Sequence, residues 1–180
     1  MPTCDQARPG ACPCCGAAAQ PFGGRIVLVG HGVVLRQLRG PAQVGQLPEQ
    51  VLLTLRRYRC RSCKAVLVVG PRGLVVRRWY GAGAIAIALG VFARGGTTSE
   101  ARARTSPGRS VGGSAVDRWM TLVRWLDAAR QGRLFAVAGL GGLGRREVAR
   151  HMILVLAARG GHMPGADLHV SAFAGAAMAA

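Results

Sequence analysis

Two Cys-x-x-Cys motifs separated by a long insertion constrain this 180-residue chain more than any other feature. The motifs run from Cys12 to Cys15 and from Cys60 to Cys63, with residues 16–59 between them. In each motif the two intervening residues let the backbone turn, so that both sulfurs can reach one metal ion at about 2.3 Å. Four thiolates complete a tetrahedral shell and leave no open position for chemistry. The pattern predicts a structural zinc ion bound by all four cysteines.

Other uses of these cysteines need to be weighed. Disulfides are disfavoured because the first thirty residues lack the basic start and apolar core of a secretory signal. Redox-active or inert cysteines remain open, since the 44 residues between the motifs exceed the usual spacing of about 15–20. A ribbon with an extended central hairpin would accommodate that length. Cys14 could replace a motif sulfur, Cys4 is expected to be free, and His31 is expected to be a turn residue rather than a ligand.

The charge of the chain is strongly positive. It has 24 Lys and Arg against 7 Asp and Glu, a net charge of +17, and every basic residue except Lys64 is an arginine. A GC-rich genome would explain the arginines but not the shortage of acids. A positive surface attracts polyanions, and arginine suits phosphate groups and the guanine edge better than lysine does. The arginine-rich run 55–64 around the second motif is therefore predicted to be a nucleic-acid surface.

The first 70 residues are predicted to form strands around the two motifs. The strands are expected at Arg25–Val29, Val33–Arg39, Val51–Tyr58 and Ala65–Val69. Gly30-His31-Gly32 is predicted to join the first two strands as a hairpin, and Gly40–Glu49 is predicted to be a loop.

From Trp79 onwards the apolar periodicity becomes helical. The helices are expected at Ala82–Ala93, from Thr97 or Thr98 to about Arg104, at Ser114–Arg130 and at Arg145–Ala158, with residues 160–180 frayed. The fold class is α+β, a small β zinc ribbon followed by a helical, helix-turn-helix-like unit. The predicted domains are a leader at 1–11, the zinc ribbon at 12–76, the helical domain at 77–130, and a C-terminal helix with a flexible tail at 131–180.

The first three helices are compatible with a helix-turn-helix unit. In that interpretation the Ser114–Arg130 helix enters the major groove, and Trp119, Met120 and Val123 fasten it to the core. The residues expected to meet DNA are Arg118, Thr121 and Arg124. A plain helical bundle with solvated arginines explains the same periodicity equally well. For Trp79 and Trp125 a core or capping role is favoured over base stacking.

The order of the motifs resembles the zinc ribbon at the N-terminus of bacterial insertion-sequence transposases. The resemblance is carried by residues 12–16 (CPCCG), 30–32 (GHG) and 56–64 (RRYRCRSCK), followed by the hydrophobic run 65–69. In that family a helix-turn-helix follows the ribbon, and together they bind the ends of the transposon. The resemblance implies zinc on the four motif cysteines and DNA contacts by Arg56, Arg57, Arg59 and Arg61. Lys64 departs from the family, in which a glycine commonly permits the turn.

The acidic residues do not suit a nuclease. An acidic-triad transposase needs three carboxylates converging on two metal ions. After the ribbon only Glu100, Asp117, Asp127, Glu147 and Asp167 remain. Asp117 and Asp127 would lie about 15 Å apart along one helix, too far to grip one metal pair. The chain is therefore predicted to be no enzyme but a DNA-binding part without its catalytic partner.

The predicted partners are double-stranded DNA and a separate transposase catalytic subunit. An RNA-binding ribbon and a basic protein-interaction module are the alternatives. No membrane role is expected, because the longest apolar stretch, Gly81 to Ala93, is shorter than the roughly twenty residues that a span requires. The predicted location is cytoplasmic.

Overall fold

The protein is described by a computed structural model over residues 3–108, 119–161 and 165–180. The chain divides into two compact units. The ribbon unit comprises Met1–Gln37 and Leu52–Pro71, and the helical unit comprises Leu38–Val51 and Arg72–Ala180. The α+β class predicted from the sequence is confirmed, since a small sheet precedes the helices.

Three strands form one sheet in the order β1-β2-β3. The strands are β1 (Leu28–Gly40), β2 (Glu49–Cys60) and β3 (Val66–Val69). β2 pairs antiparallel with β3, and Tyr58 lies opposite Leu67. The predicted strands at 51–58 and 65–69 and the loop after Gly40 are confirmed, within a residue or two at their ends.

The hairpin predicted at Gly30-His31-Gly32 is wrong, because β1 runs through all three residues without a break. Gly32 has a φ of +84°, a backbone conformation that glycine adopts without the steric penalty of a Cβ atom. The strand therefore accommodates the glycine instead of ending there. His31 is an exposed residue within a strand and not a turn residue.

Five helices lie in the described part of the helical unit. They are α1 (Ala82–Ala93), α2 (Thr98–Thr105), α3 (Met120–Arg130), α4 (Arg145–Arg159) and α5 (Leu168–Ala179). The bounds predicted for α1 are confirmed, and Thr97 caps α2 as one of the two predicted residues. Its side-chain oxygen accepts the N–H of Glu100, whose carboxylate accepts the N–H of Thr97 in return. Within the described ranges, no helix is long and apolar enough to cross a membrane.

α1 is the central helix of this unit, and it contacts the other four helices. Nine of the twelve residues of α1 are buried, more than a single apolar stripe would contain. Most of them are alanine or glycine, whose small side chains let neighbouring helices approach from several sides. Gly83 and Gly90 illustrate this, because an added Cβ would lie within 2.5 Å of the Phe173 ring or the His169 imidazole.

The core face of α3 differs from the predicted one. Its buried residues are Leu122, Trp125, Leu126, Ala128 and Ala129. Of the three residues predicted to fasten the helix to the core, Trp119 is buried as predicted, whereas Met120 is 50 % exposed and Val123 is half-buried. The core role predicted for Trp125 is confirmed, because its ring meets those of Tyr80 and Trp119 edge-on at 5.1 Å each. This aromatic cluster determines which face turns inward. The predicted start at Ser114 lies outside the described residues.

The tail predicted to be frayed is instead largely α5. The Asp167 carboxylate caps this helix by accepting the N–H groups of His169 and Val170. Ala172, Gly175 and Ala176 are buried, and the contact between α4 and α5 is the most extensive between any two helices described. The same small residues that suggested disorder allow the two helix backbones to meet.

Candidate metal centre

The two cysteine motifs adopt the same backbone turn. In the first, the N–H of Gly16 donates to the carbonyl of Cys12 at 2.8 Å, and the N–H of Cys12 donates to that of Ala17 at 2.9 Å. In the second, Lys64 donates to Cys60 at 3.0 Å, and Cys60 donates to Ala65 at 2.9 Å. Each turn places its two sulfurs on the same side of the backbone, where both can bind one metal ion.

The four motif sulfurs converge on one point. The Sγ atoms of Cys12 and Cys63 are 3.7 Å apart and those of Cys15 and Cys60 are 3.8 Å apart, and all four lie within 4.8 Å of one another. These distances are far longer than the roughly 2.05 Å of a disulfide bond. Cys4 and Cys14 do not belong to this cluster. The four cysteines can therefore hold a metal ion, as the spacing predicts.

Backbone N–H groups point at several of these sulfurs. The pKa of Cys60 falls to about 6, mainly because the N–H of Cys63 and also that of Ser62 donate to its sulfur. The N–H of Ala65 lowers the pKa of Cys63, but burial and the neighbouring thiols outweigh it and raise that pKa to about 12. Because metals bind the thiolate, the N–H groups around Cys60 favour its ligand form at neutral pH.

The surroundings of the site are small and partly apolar. Cys12 and Cys60 are buried with Ala19 and Leu28 in a cluster of their own. Tyr58, two residues before Cys60 in β2, is also buried and donates its hydroxyl hydrogen to the carbonyl of Cys4 at 2.5 Å. Burial raises the pKa of Tyr58, and the side chain of Cys4 raises it further, so the phenol stays a donor. The segment predicted to be a loose leader is thus attached to β2.

Lys64 has a backbone strained for a residue with a side chain. Its φ is +65°, close to the +71° of Gly16 at the matching place in the first motif. We expect Lys64→Gly to raise the free energy of unfolding of the metal-loaded protein by about 0.5–1 kcal/mol, since relief of the left-handed strain exceeds the added freedom of the unfolded chain. Denaturant titration measures the change.

The matched control for this prediction is Gly16→Ala. A Cβ at Gly16 would meet no atom within 4 Å, so the substitution adds backbone strain alone. It should lower the free energy of unfolding by about 1 kcal/mol. A Lys64→Gly protein no more stable than the wild type would contradict the strain at this turn.

The arginines predicted to contact DNA lie on β2 and in the second motif. Arg59 and Arg61 are exposed, whereas Arg56 and Arg57 are half-buried. Arg57 and Arg59 pair with Val68 and Val66, two exposed residues of β3. The single acid of the ribbon unit, Asp5, forms an ion pair with Arg8 at 2.7 Å. The ribbon unit thus contains far more basic than acidic side chains.

Two of the other predicted DNA contacts, Thr121 and Arg124, belong to α3 of the helical unit. Arg124 is exposed and Thr121 is half-buried, and their spacing of three residues places them on one side of the helix. Arg118 lies outside the described residues. Trp79, for which a core or capping role is predicted, is 60 % exposed, so the core role is wrong. In the sequence, the neighbouring Arg77 and Arg78 were the signal that Trp79 lies at the surface.

Comparisons with protein-family models, with curated proteins and with solved structures found no match.

Proposed function

We propose that this chain is a zinc-dependent protein of the transposase-associated type that binds double-stranded DNA and has no catalytic core of its own. The observation that carries the proposal is the cluster of four sulfurs at the end of an arginine-bearing strand. β2 ends at the ligand Cys60, and Arg61 follows inside the second motif. A metal at the cluster would hold these arginines in fixed positions.

Zinc is the metal that suits the cluster best. With sulfurs at about 2.3 Å from the ion, a tetrahedral site separates them by about 3.8 Å. Two of the observed separations are 3.7 and 3.8 Å. Thiolates are soft ligands, and a set of four in tetrahedral array favours zinc over hard cations that prefer oxygen. Such a site leaves no position for a substrate, so the zinc would be structural.

Duplex DNA is the partner that best suits the basic residues. The net charge of +17 and the exposed Arg59 and Arg61 favour a polyanion. Arg56, Arg57, Arg59 and Arg61 would contact the phosphates and fix the orientation of the protein. Arg118, Thr121 and Arg124 of the predicted recognition helix would reach base edges in the major groove.

Four of the five acidic residues beyond the ribbon lie in the described part of the chain, and their contacts support a role without catalysis. Glu100 and Glu147 accept the N–H groups of Thr97 and Gly144 at the starts of α2 and α4. Asp167 caps α5, and Asp127 lies 3.6 Å from Arg130 in an ion pair. These four carboxylates have structural tasks at separate places in the chain. Strand transfer would therefore be performed by a separate transposase catalytic subunit.

The double variant Arg59→Gln/Arg61→Gln tests the DNA surface. We expect it to weaken duplex binding and to reduce the slope of log K against log salt by about 2, since each lost phosphate contact removes about 0.9. Fluorescence anisotropy of a labelled duplex, titrated at several salt concentrations, measures both quantities. The same titration with structured RNA compares the two nucleic acids directly.

A matched control separates the position of the charges from their number. Arg104→Gln/Arg133→Gln removes two exposed arginines of the helical unit and changes the net charge equally. We expect it to leave the slope nearly unchanged. Equal losses of duplex affinity in both variants would show that the attraction is unspecific. Tighter binding of RNA than of duplex DNA would favour the RNA-binding alternative. No affinity for either nucleic acid would favour the protein-interaction module.

A further inference from the structure

Trp79 is a large apolar side chain presented to solvent in a basic environment. It is 60 % exposed, while the other two tryptophans, Trp119 and Trp125, are buried. The guanidinium of Arg39 lies over its ring at 4.9 Å from the centroid. Arg39 is itself held by a hydrogen bond from its Nε to the Gln50 side chain at 2.9 Å. One part of the indole is thus covered by a positioned cation, and the rest faces water.

The backbone beneath this indole is firmly attached. The N–H of Arg39 donates to the carbonyl of Trp79 at 2.6 Å, and the N–H of Gly81 donates to that of Arg39 at 3.1 Å. The next residue, Tyr80, is buried against Trp119 and Trp125, and its hydroxyl lies 2.9 Å from the Ser106 hydroxyl. Because Tyr80 is held in the core, the orientation of its neighbour Trp79 is preorganised.

The segment leading to Trp79 is basic and strained. Residues 72–79 include Arg72, Arg77 and Arg78 and no acid. Arg77 has a φ of +58°, a conformation that costs energy for a residue with a Cβ. Strain of this kind persists where the surrounding structure imposes it and is frequent at binding sites. Glu49 precedes Gln50 in β2, but successive strand residues face opposite sides of the sheet. The Glu49 carboxylate is therefore on the other side from the Gln50 side chain that holds Arg39.

We propose that Trp79 and Arg39 form a stacking site for an unpaired base of single-stranded DNA. A flat, exposed indole offers its surface to any base, and an adjacent guanidinium strengthens stacking and neutralises the phosphate beside it. Paired bases in a duplex are already stacked on their neighbours, so the site is specific for unpaired ones. This inference rests on the proposed DNA-binding function and adds a second DNA form to it, one that occurs wherever a duplex end is opened.

Binding of an oligo(dT) strand of about 15 nucleotides at about 150 mM salt tests the stacking site. We expect the strand to quench the fluorescence of wild-type protein, since Trp79 is the exposed tryptophan. Trp79→Ala should abolish this quenching and weaken binding, measured by anisotropy, about 5- to 100-fold, and Trp79→Phe should restore part of the affinity. The affinity of Trp79→Ala for a duplex of the same length should stay within about twofold of the wild type.

Leu154→Ala is the matched control, because Leu154 is an exposed apolar residue of α4 with an exposure of 59 %. It should leave oligo(dT) binding unchanged. Wild-type affinity of Trp79→Ala for oligo(dT), or equal losses on duplex and single strand, would overturn the stacking site. Preference for oligo(U) would assign the site to RNA and overturn the DNA inference. If duplex binding is absent in the wild type while Trp79-dependent oligo(dT) binding persists, the proposed function fails and the stacking site stands.

Discussion

Cys60→Ser is expected to abolish metal retention and to unfold the ribbon unit. Cys60 is fully buried at the end of β2, and its sulfur is one of the four that converge. A serine hydroxyl is a far poorer ligand than a thiolate. Structural zinc contributes about 10–16 kcal/mol to the folding of small zinc domains, more than the total stability of most domains of this size. The buried cluster around the metal site consists of Cys12, Ala19, Leu28 and Cys60, and it is too small to replace that contribution.

Three measurements on purified Cys60→Ser protein test this expectation. Elemental analysis after dialysis should show about one metal ion per wild-type chain and none per variant chain. Limited proteolysis should cut the variant within residues 12–71, which the wild type protects, and duplex affinity should fall to the background of unspecific attraction. Cys63→Ser should behave in the same way, because each motif needs both of its sulfurs.

Cys14→Ser is the control for the loss of a thiol as such. Cys14 lies inside the first motif, yet it is exposed and outside the sulfur cluster. Its replacement should leave metal content and protease resistance at wild-type values. Full metal content together with full protease resistance in Cys60→Ser would refute the structural metal site.

The sequence predicts the sulfur cluster well because its information is local. Each Cys-x-x-Cys turn brings two sulfurs together by itself, and only one association of the two turns is then needed. The extent of β1 is not local, since a Gly-His-Gly sequence occurs in turns as well as in strands. Whether the chain continues through Gly32 depends on pairing with a strand that lies well beyond it in the sequence. Strand composition alone does not contain that information.

The helices show the same difference between local and long-range information. α1 and the start of α2 were predictable because an apolar run and a Thr97–Glu100 capping box mark them locally. The inward face of α3 was not, because several apolar stripes fit its sequence and the contacts of Trp125 with distant Tyr80 select among them. α5 was missed for a related reason. Its alanines and glycines have little hydrophobic signal of their own, and their value lies in close approach to α4.

Gly175→Ala is the second prediction with a large effect, and it tests that close approach. A Cβ at Gly175 would lie 1.8 Å from the carbonyl oxygen of Leu156 and 2.6 Å from the backbone nitrogen of Gly160. A Cβ at Gly160 would in turn lie 2.0 Å from the carbonyl oxygen of Ser171. These atoms belong to helix backbones and cannot rotate away. We expect a loss of about 3 kcal/mol or more in the free energy of unfolding, because the helices must separate.

The sign of the change distinguishes a docked α5 from a frayed one. In a helix without neighbours, replacing glycine with alanine is favourable by about 1 kcal/mol, so a frayed tail predicts slight stabilisation. A docked helix predicts strong destabilisation, measured by denaturant titration and by faster hydrogen exchange in α4 and α5. Gly141→Ala is the control, since a Cβ there would meet no atom within 4 Å. Metal content should be unchanged in both variants, because the ligands belong to the other unit.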